Sequence, residues 1–380
     1  MPIRRPLRRL LRSAPSLLAA AALISCSQDG PPPEPPLPPG ALEAVVENPG
    51  VSREKLARAV DALFSDPALA ETRALIVMHR GEIVAERYGE GFDAETPLIG
   101  WSMSKTVTAV LVGMMVADGR LRLDDPAPVA RWQRPGDPRG EITLRHLLQM
   151  RSGLRHQEKG DPIYDSTEVR MMFRDGRDDM AAWAEAQPLE HDPGTTFTYS
   201  TASSVILADI ATDLLARAQT PQARQRAMAE FLDARLAVPL GMTSMRGEYD
   251  AKGTLIGGSA IWANARDWAK FGEFLRHGGS VKGAQILPRG WVSFMTSPNP
   301  RAADYGAHLW LNRETEAGRN TLFAGQGPPD VFAAIGHLGQ YVVVSPSKKL
   351  TVVRLGHTED DGDDSVPAAL GAIFALYPPR

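Results

Sequence analysis

The chain has 380 residues, 43% of them hydrophobic and 23% charged, with a formal net charge of -3 at neutral pH and a single cysteine. That length holds one large domain, or two interleaved ones, with a sizeable core. One cysteine excludes an intrachain disulfide and a paired-cysteine zinc site, and the mildly acidic balance argues against a nucleic-acid partner.

The first twelve residues carry five arginines and no acid, and an uncharged run follows over residues 13–25. Thirteen residues are too few to span a bilayer as a helix, so residues 1–25 read as a secretory signal peptide. The run ends in L-I-S-C at Cys26, which resembles a bacterial lipobox. That resemblance implies lipidation of Cys26 and an exported protein anchored to a membrane and facing the periplasm, the outer membrane being preferred to the inner. Loss of the five arginines would take the charge from -3 to -8. Residues 26–40 then form the lipidated cysteine and a proline-rich linker, expected to be an extended spacer.

Residues 52–64 place Leu56, Val60, Leu63 and Phe64 at helical spacing. From Ala74, A-L-I-V-M-H-R-G-E-I-V-A-E-R-Y-G reads as two strands around a turn at Gly81. A buried helix is expected from Ser102 to Asp118-Gly119, its inner face carrying Val107, Val110, Leu111, Met114 and Met115. Helical patterns fill the middle of the chain, over residues 144–150, 203–218, 223–236 and 267–277. Q-Y-V-V-V-S-P-S-K-K-L-T-V-V-R-L-G repeats the hairpin design near the C-terminus, and residues 366–377 form a closing helix that packs on the sheet. These elements predict an α+β fold in which an antiparallel sheet is built from both termini and flanked by helices. Residues 41–125 and 285–380 make the sheet subdomain, and residues 126–284 a mostly helical inserted subdomain.

Ser-x-x-Lys, the spacing of a serine nucleophile and a lysine base, occurs at Ser52/Lys55, Ser102/Lys105 and Ser345/Lys348. The first copy lies in the solvated first turn of an amphipathic helix, and the third in a hairpin turn where Pro and Ser are expected for backbone reasons. Only the second begins a buried helix. There both side chains project on one face, the positive helix end favours negative charge near the serine, and burial is expected to push Lys105 toward its neutral, proton-accepting form. A serine cap followed by a snorkelling lysine is the competing reading of the same two residues.

Two further segments bear on that choice: P-G-T-T-F-T-Y-S-T-A-S-S, with Tyr199 before a helix, and G-H-L-G-Q-Y-V-V-V, with His337 before a strand. With I-T-L-R-H-L-L-Q-M-R-S-G-L, P-L-G-M and G-G-S-A-I-W-A-N-A-R-D-W-A-K-F-G, the chain from about residue 74 to 356 resembles the serine β-lactamase and penicillin-binding-protein superfamily. The likeness is to its class C, D-aminopeptidase, esterase and 6-aminohexanoate-dimer hydrolase branch. It implies a β-lactamase/transpeptidase-like fold with Ser102 as acylated nucleophile, Lys105 as base and Tyr199 as proton carrier. It implies an oxyanion hole made by the backbone N–H groups of Ser102 and Gln340. It further implies a substrate-binding His337-x-Gly339 in place of Lys-Thr-Gly, with Thr201 and Trp101 also at the substrate. The sequence departs from Tyr-x-Asn, since Ser200 and Thr201 follow Tyr199. Both departures favour an esterase or small-molecule amidase over a D,D-peptidase or β-lactamase. A catalytically silent wall-binding lipoprotein on the same fold is the alternative of another class.

His146 reads as a core or capping histidine, Trp132 as packing, and Trp101 as packing or pocket wall. The acidic run from His357 fails the EF-hand spacing and reads as a solvated loop. Gly-x-Ser-x-Gly and His-Glu-x-x-His are absent, and no cofactor or metal is expected.

Overall fold

The computed structural model describes residues 36–315, 318–319, 321–359 and 365–378. The expected signal peptide and Cys26 lie outside the described residues, as do most of the linker and the acidic run beyond Glu359.

In chain order the strands are β1 (Glu71–His79), β2 (Glu82–Tyr88), β3 (Leu98–Ile99), β4 (Arg246–Gly247), β5 (Ile261–Ala263) and β6 (Ser280–Val281). They continue with β7 (Ala284–Gln285), β8 (Trp310–Leu311), β9 (Phe332–Gly336), β10 (Gln340–Ser345) and β11 (Leu350–His357). The helices are α1 (Arg53–Ser65), α2 (Met103–Ala117), α3 (Leu144–Leu148), α4 (Thr167–Phe173), α5 (Met180–Glu185) and α6 (Thr201–Leu215). After them come α7 (Pro221–Leu232), α8 (Val238–Leu240), α9 (Ala265–Arg276), α10 (Arg289–Met295) and α11 (Ser365–Leu376).

The main sheet has the order β2-β1-β11-β10-β9-β8 with antiparallel neighbours throughout, so strands from the two ends of the chain meet where β1 pairs with β11. Successive side chains point to opposite faces. Leu75 and Val77 of β1 and Val343 of β10 face a core closed by α1 and α11, whereas Ile76, Met78, Val342 and Val344 face a second core shared with α2, α6 and α9. Both faces are covered, which is why these strands read as unbroken apolar runs rather than alternating ones.

The expected insertion at 126–284 is not one layer. Its last helix, α9, lies on β10, β11 and β1, because Trp268, Phe271, Phe274 and Leu275 form one apolar face. Gly272 permits the approach, since a Cβ there would come within 2.6 Å of the Thr351 methyl. α2 crosses between α6 and the sheet, and the turn before it lies against β9 at Gly336.

Candidate active site

Three constraints shape the turn that carries Ser102. Gly100 donates its N–H to Ile261 O at 2.8 Å and lies so close to Trp268 that a Cβ would sit 2.4 Å from the indole. Trp101 then takes φ 45, a left-handed conformation that costs a non-glycine residue about 1 kcal/mol or more. Ser102 follows at φ -64, ψ -7 without capping the helix through its side chain, so its hydroxyl stays available.

Lys105 is 1% exposed, and its Nζ donates to Ser102 Oγ at 2.9 Å, Thr201 Oγ1 at 2.8 Å and Gly258 O at 2.9 Å. Tyr199, in the loop before α6, lies close enough for its phenol to interact electrostatically with both Ser102 and Lys105. Its ring stacks on Trp310 at 5.4 Å between centroids, meets Tyr305 edge-on at 6.0 Å, and has Lys105 Nζ 5.0 Å from its centre. Serine hydroxyl, amine and phenol therefore converge.

The charge state of Lys105 corrects the expectation. Burial does pull its pKa down, but Tyr199, Glu158 and Glu168 outweigh burial and the net direction is up. With three acceptors around three N–H bonds, the resting group is an ammonium. Burial raises Tyr199 as well, against the pull of Lys105, so the resting phenol is neutral.

Glu158 and Glu168 carry no signal in the sequence. Thr201 Oγ1 donates toward Glu158 Oε2 at 2.9 Å and Glu168 Oε1 at 3.1 Å, the Thr201 N–H donates to Glu158 Oε1, and His156 Nε2 lies 2.6 Å from that same oxygen. Nearby, His308 O accepts from Thr106 Oγ1 at 2.7 Å, while its ring bridges Leu148 O and Ser204 Oγ, each at 2.8 Å. Burial lowers the His308 pKa to about 3, so the imidazole is neutral. Among the described residues no group of His, Cys, Asp and Glu is arranged to hold a metal ion.

The remaining expected residues fall in three places. His337 is exposed in the β9–β10 turn and meets Trp101 edge-on at 5.6 Å, which puts it beside the turn that carries Ser102. Thr201 is fully buried beneath Lys105 and faces the carboxylates instead of a substrate. Gly339 serves the turn: it has φ 79, and a Cβ would lie 2.2 Å from an Arg354 guanidinium nitrogen.

Gln340 belongs to β10, inside β9, and its backbone pairs with Gly336 while its side chain binds Gly356 in both directions. The strand nearer α2 is β9, where a Cβ on Gly336 would lie 2.2 Å from Gly100 O. β8 covers β9 only at Phe332 and Ala333. Leu311 N–H turns away to Asp304 O, whereas Asn312 N–H reaches Val331 O, so residues 331 and 333 direct their backbone groups toward β8. Alternation then aims the N–H of Ile335 past the end of β8, alongside Gly100 and Ser102. Gln340 failed as an expectation because edge position depends on a strand of two residues, too short for any periodic signal.

His146 is the capping histidine expected, its Nδ1 accepting from Thr143 N–H at 3.3 Å, and Trp132 is 0% exposed in the core. Ser52 Oγ accepts from Lys55 N–H at 3.3 Å and Ser345 Oγ from Lys348 N–H at 3.3 Å, so both other Ser-x-x-Lys copies serve the backbone.

Residues 61–375 match the Beta-lactamase family. A 6-aminohexanoate-dimer hydrolase of Paenarthrobacter ureafaciens is 26% identical over 244 residues, 61% of this chain and 59% of that protein. A family VIII carboxylesterase superposes with a TM-score of 0.60 at 17% identity, over 85% of this chain and 96% of the other. A D-stereospecific amidohydrolase from Streptomyces gives 0.58 at 19% identity, over 84% and 98%. At these identities the two structures show a common fold.

Proposed function

This chain belongs to the beta-lactamase family, and on that premise we propose that it hydrolyses an ester or small amide through an acyl-enzyme on Ser102. The observation that carries the reading is the contact of Lys105 Nζ with Ser102 Oγ at 2.9 Å in a buried setting, with the Tyr199 ring centre 5.0 Å from the same amine. Ser102 Oγ attacks the substrate carbonyl as its proton passes to the Lys105 amine, which must first have given up one proton of its resting ammonium. Tyr199 then returns a proton to the leaving group, and water releases the acid. The oxyanion would be held by the N–H groups of Ser102 and Ile335, each worth about 3 kcal/mol of barrier.

Two features favour an ester or small amide over a β-lactam. Thr201 stands where an amide side chain would serve a β-lactam, and its hydroxyl is committed beneath Lys105. His337 stands beside the turn that carries Ser102 in place of a permanent cation. Turnover of p-nitrophenyl acetate against nitrocefin tests the substrate class: faster ester turnover, lost in Ser102→Ala, is expected, and preferred nitrocefin turnover would contradict it.

We also propose that Cys26 carries a lipid anchor on the periplasmic side of a membrane, supported by the arginine-rich start and the apolar run before it. Metabolic labelling with an alkyne fatty acid, lost in Cys26→Ser, is the expected result; label retained in that variant would place the lipid elsewhere.

A further inference from the structure

We infer that the carboxylate pair Glu158 and Glu168 accepts a proton from Lys105 through the Thr201 hydroxyl, and so makes the free amine that deprotonates Ser102. The inference rests on the reading of Ser102 as nucleophile and Lys105 as its base.

That reading needs a lone pair on Nζ, yet Lys105 has all three N–H bonds engaged. Its acceptors are unequal. Gly258 O has no proton to pass on, and Ser102 Oγ is the group to be deprotonated. Thr201 Oγ1 accepts from Lys105 at 2.8 Å and can donate its single proton either to Glu158 Oε2 at 2.9 Å or to Glu168 Oε1 at 3.1 Å. A hydroxyl that accepts from a cation and donates to a carboxylate can relay a proton without moving. In the transfer an Nζ–H bond breaks as its proton joins Thr201 Oγ1, and the proton already on Thr201 joins Glu168 Oε1. An ion pair becomes an uncharged amine and an uncharged acid, with atoms and charge conserved. Nζ then takes the Ser102 proton as Oγ attacks. Because desolvation penalises separated charges, a substrate that covers Ser102 and expels water favours the uncharged pair.

Two carboxylates divide the work. Despite burial, Lys105 and His156 hold Glu158 down to about 2, which makes it a poor acceptor. Burial and then the Glu158 charge push Glu168 up to about 8, which makes it the stronger proton acceptor of the two. The other titratable groups facing the cluster are His156 beside Glu158, Tyr199 before α6, Tyr305 near β8, and His308 near Lys105. Glu158 and Glu168 act through Lys105 and are positioning residues. Since Glu168 must be ionised to accept, acylation rises as pH increases through about 8.

The test is the pH dependence of the p-nitrophenol burst from p-nitrophenyl acetate, with the Ser102 adduct followed by mass. Glu168→Gln should slow acylation roughly tenfold or more near neutral pH and move the limb to higher pH. Glu158→Gln removes the charge that lifts Glu168 and should move the limb to lower pH. Thr201→Val should behave as Glu168→Gln, and Thr201→Ser should restore the native profile. Opposite displacements are not a consequence of mere structural damage. Unmoved limbs, displacement of both glutamate variants in one direction, or a native profile in Thr201→Val would overturn the inference. Should either glutamine variant lose its cooperative thermal transition, the Thr201→Val and Thr201→Ser pair decides alone. A native enzyme with no burst and no adduct at Ser102 would sink the nucleophile assignment and the relay with it, whereas a normal burst with unmoved limbs sinks only the relay.

Discussion

Two helices in this molecule begin with a serine three residues before a lysine, and they use it in opposite ways. At α1, Ser52 has φ -58, ψ 119, its Oγ accepts from Lys55 N–H, and both residues are exposed. At α2, the left-handed Trp101 delivers Ser102 already in a helical conformation, so its Oγ makes no capping bond and receives Lys105 Nζ instead. The same spacing is a cap in one place and a candidate nucleophile in the other. Backbone conformation decides whether the hydroxyl is free, and burial decides whether the lysine can reach it.

Exchanging the two serines for alanine should separate these roles most widely. Ser102→Ala should lower ester turnover by roughly 10^5-fold or more while barely changing stability, because no capping bond is lost. Ser52→Ala should leave turnover intact and cost about 1 kcal/mol on denaturant unfolding. Comparable turnover losses in both variants would erase the distinction. Next in size, Lys105→Arg should lose about 10^3-fold in turnover, since a guanidinium does not give up its proton, and Lys55→Arg should lose nothing. For stability, Lys105→Met removes the charge that most favours the buried Glu158 carboxylate, leaving only His156 beside it, and should cost about 3 kcal/mol, against less than about 0.5 kcal/mol for the exposed Lys55→Met. Equal melting temperatures would show that the buried cation is not paired as described.

An effect confined to acid pH concerns the support of α2. His308 is depressed in the folded state from 6.5 to about 3, so below pH 6.5 the unfolded chain binds the extra proton and the folded one does not. The contribution is complete above the unfolded pKa and is lost as pH falls, with a slope of about 1.4 kcal/mol per pH unit. His308→Gln should flatten that slope in acid titrations of unfolding free energy, and an unchanged slope would assign it to other groups.

The buried runs of β1, β10 and β11 were legible in the sequence because each is long and apolar, and α2 because its inner face repeats at helical spacing. Ser102, Lys105 and Tyr199 were legible through the segments around them. What was not legible depends on partners distant in sequence. The ammonium state of Lys105 is set by Tyr199, Glu158 and Glu168 together, and two acids in a segment without periodicity carry no mark of facing a lysine. The edge of the sheet is set by β8, and the seating of α9 on the sheet by which apolar faces remain uncovered. A tertiary neighbour decides each of these, and a local pattern does not name its neighbour.

The most direct test is to treat the native protein with a fluorophosphonate or p-nitrophenyl acetate and map the added mass by peptide. A single adduct on Ser102, absent in Ser102→Ala and undiminished in Ser52→Ala and Ser345→Ala, is the expected result. An adduct on Ser52 or Ser345, or an unmodified Ser102 in folded protein, would contradict the account.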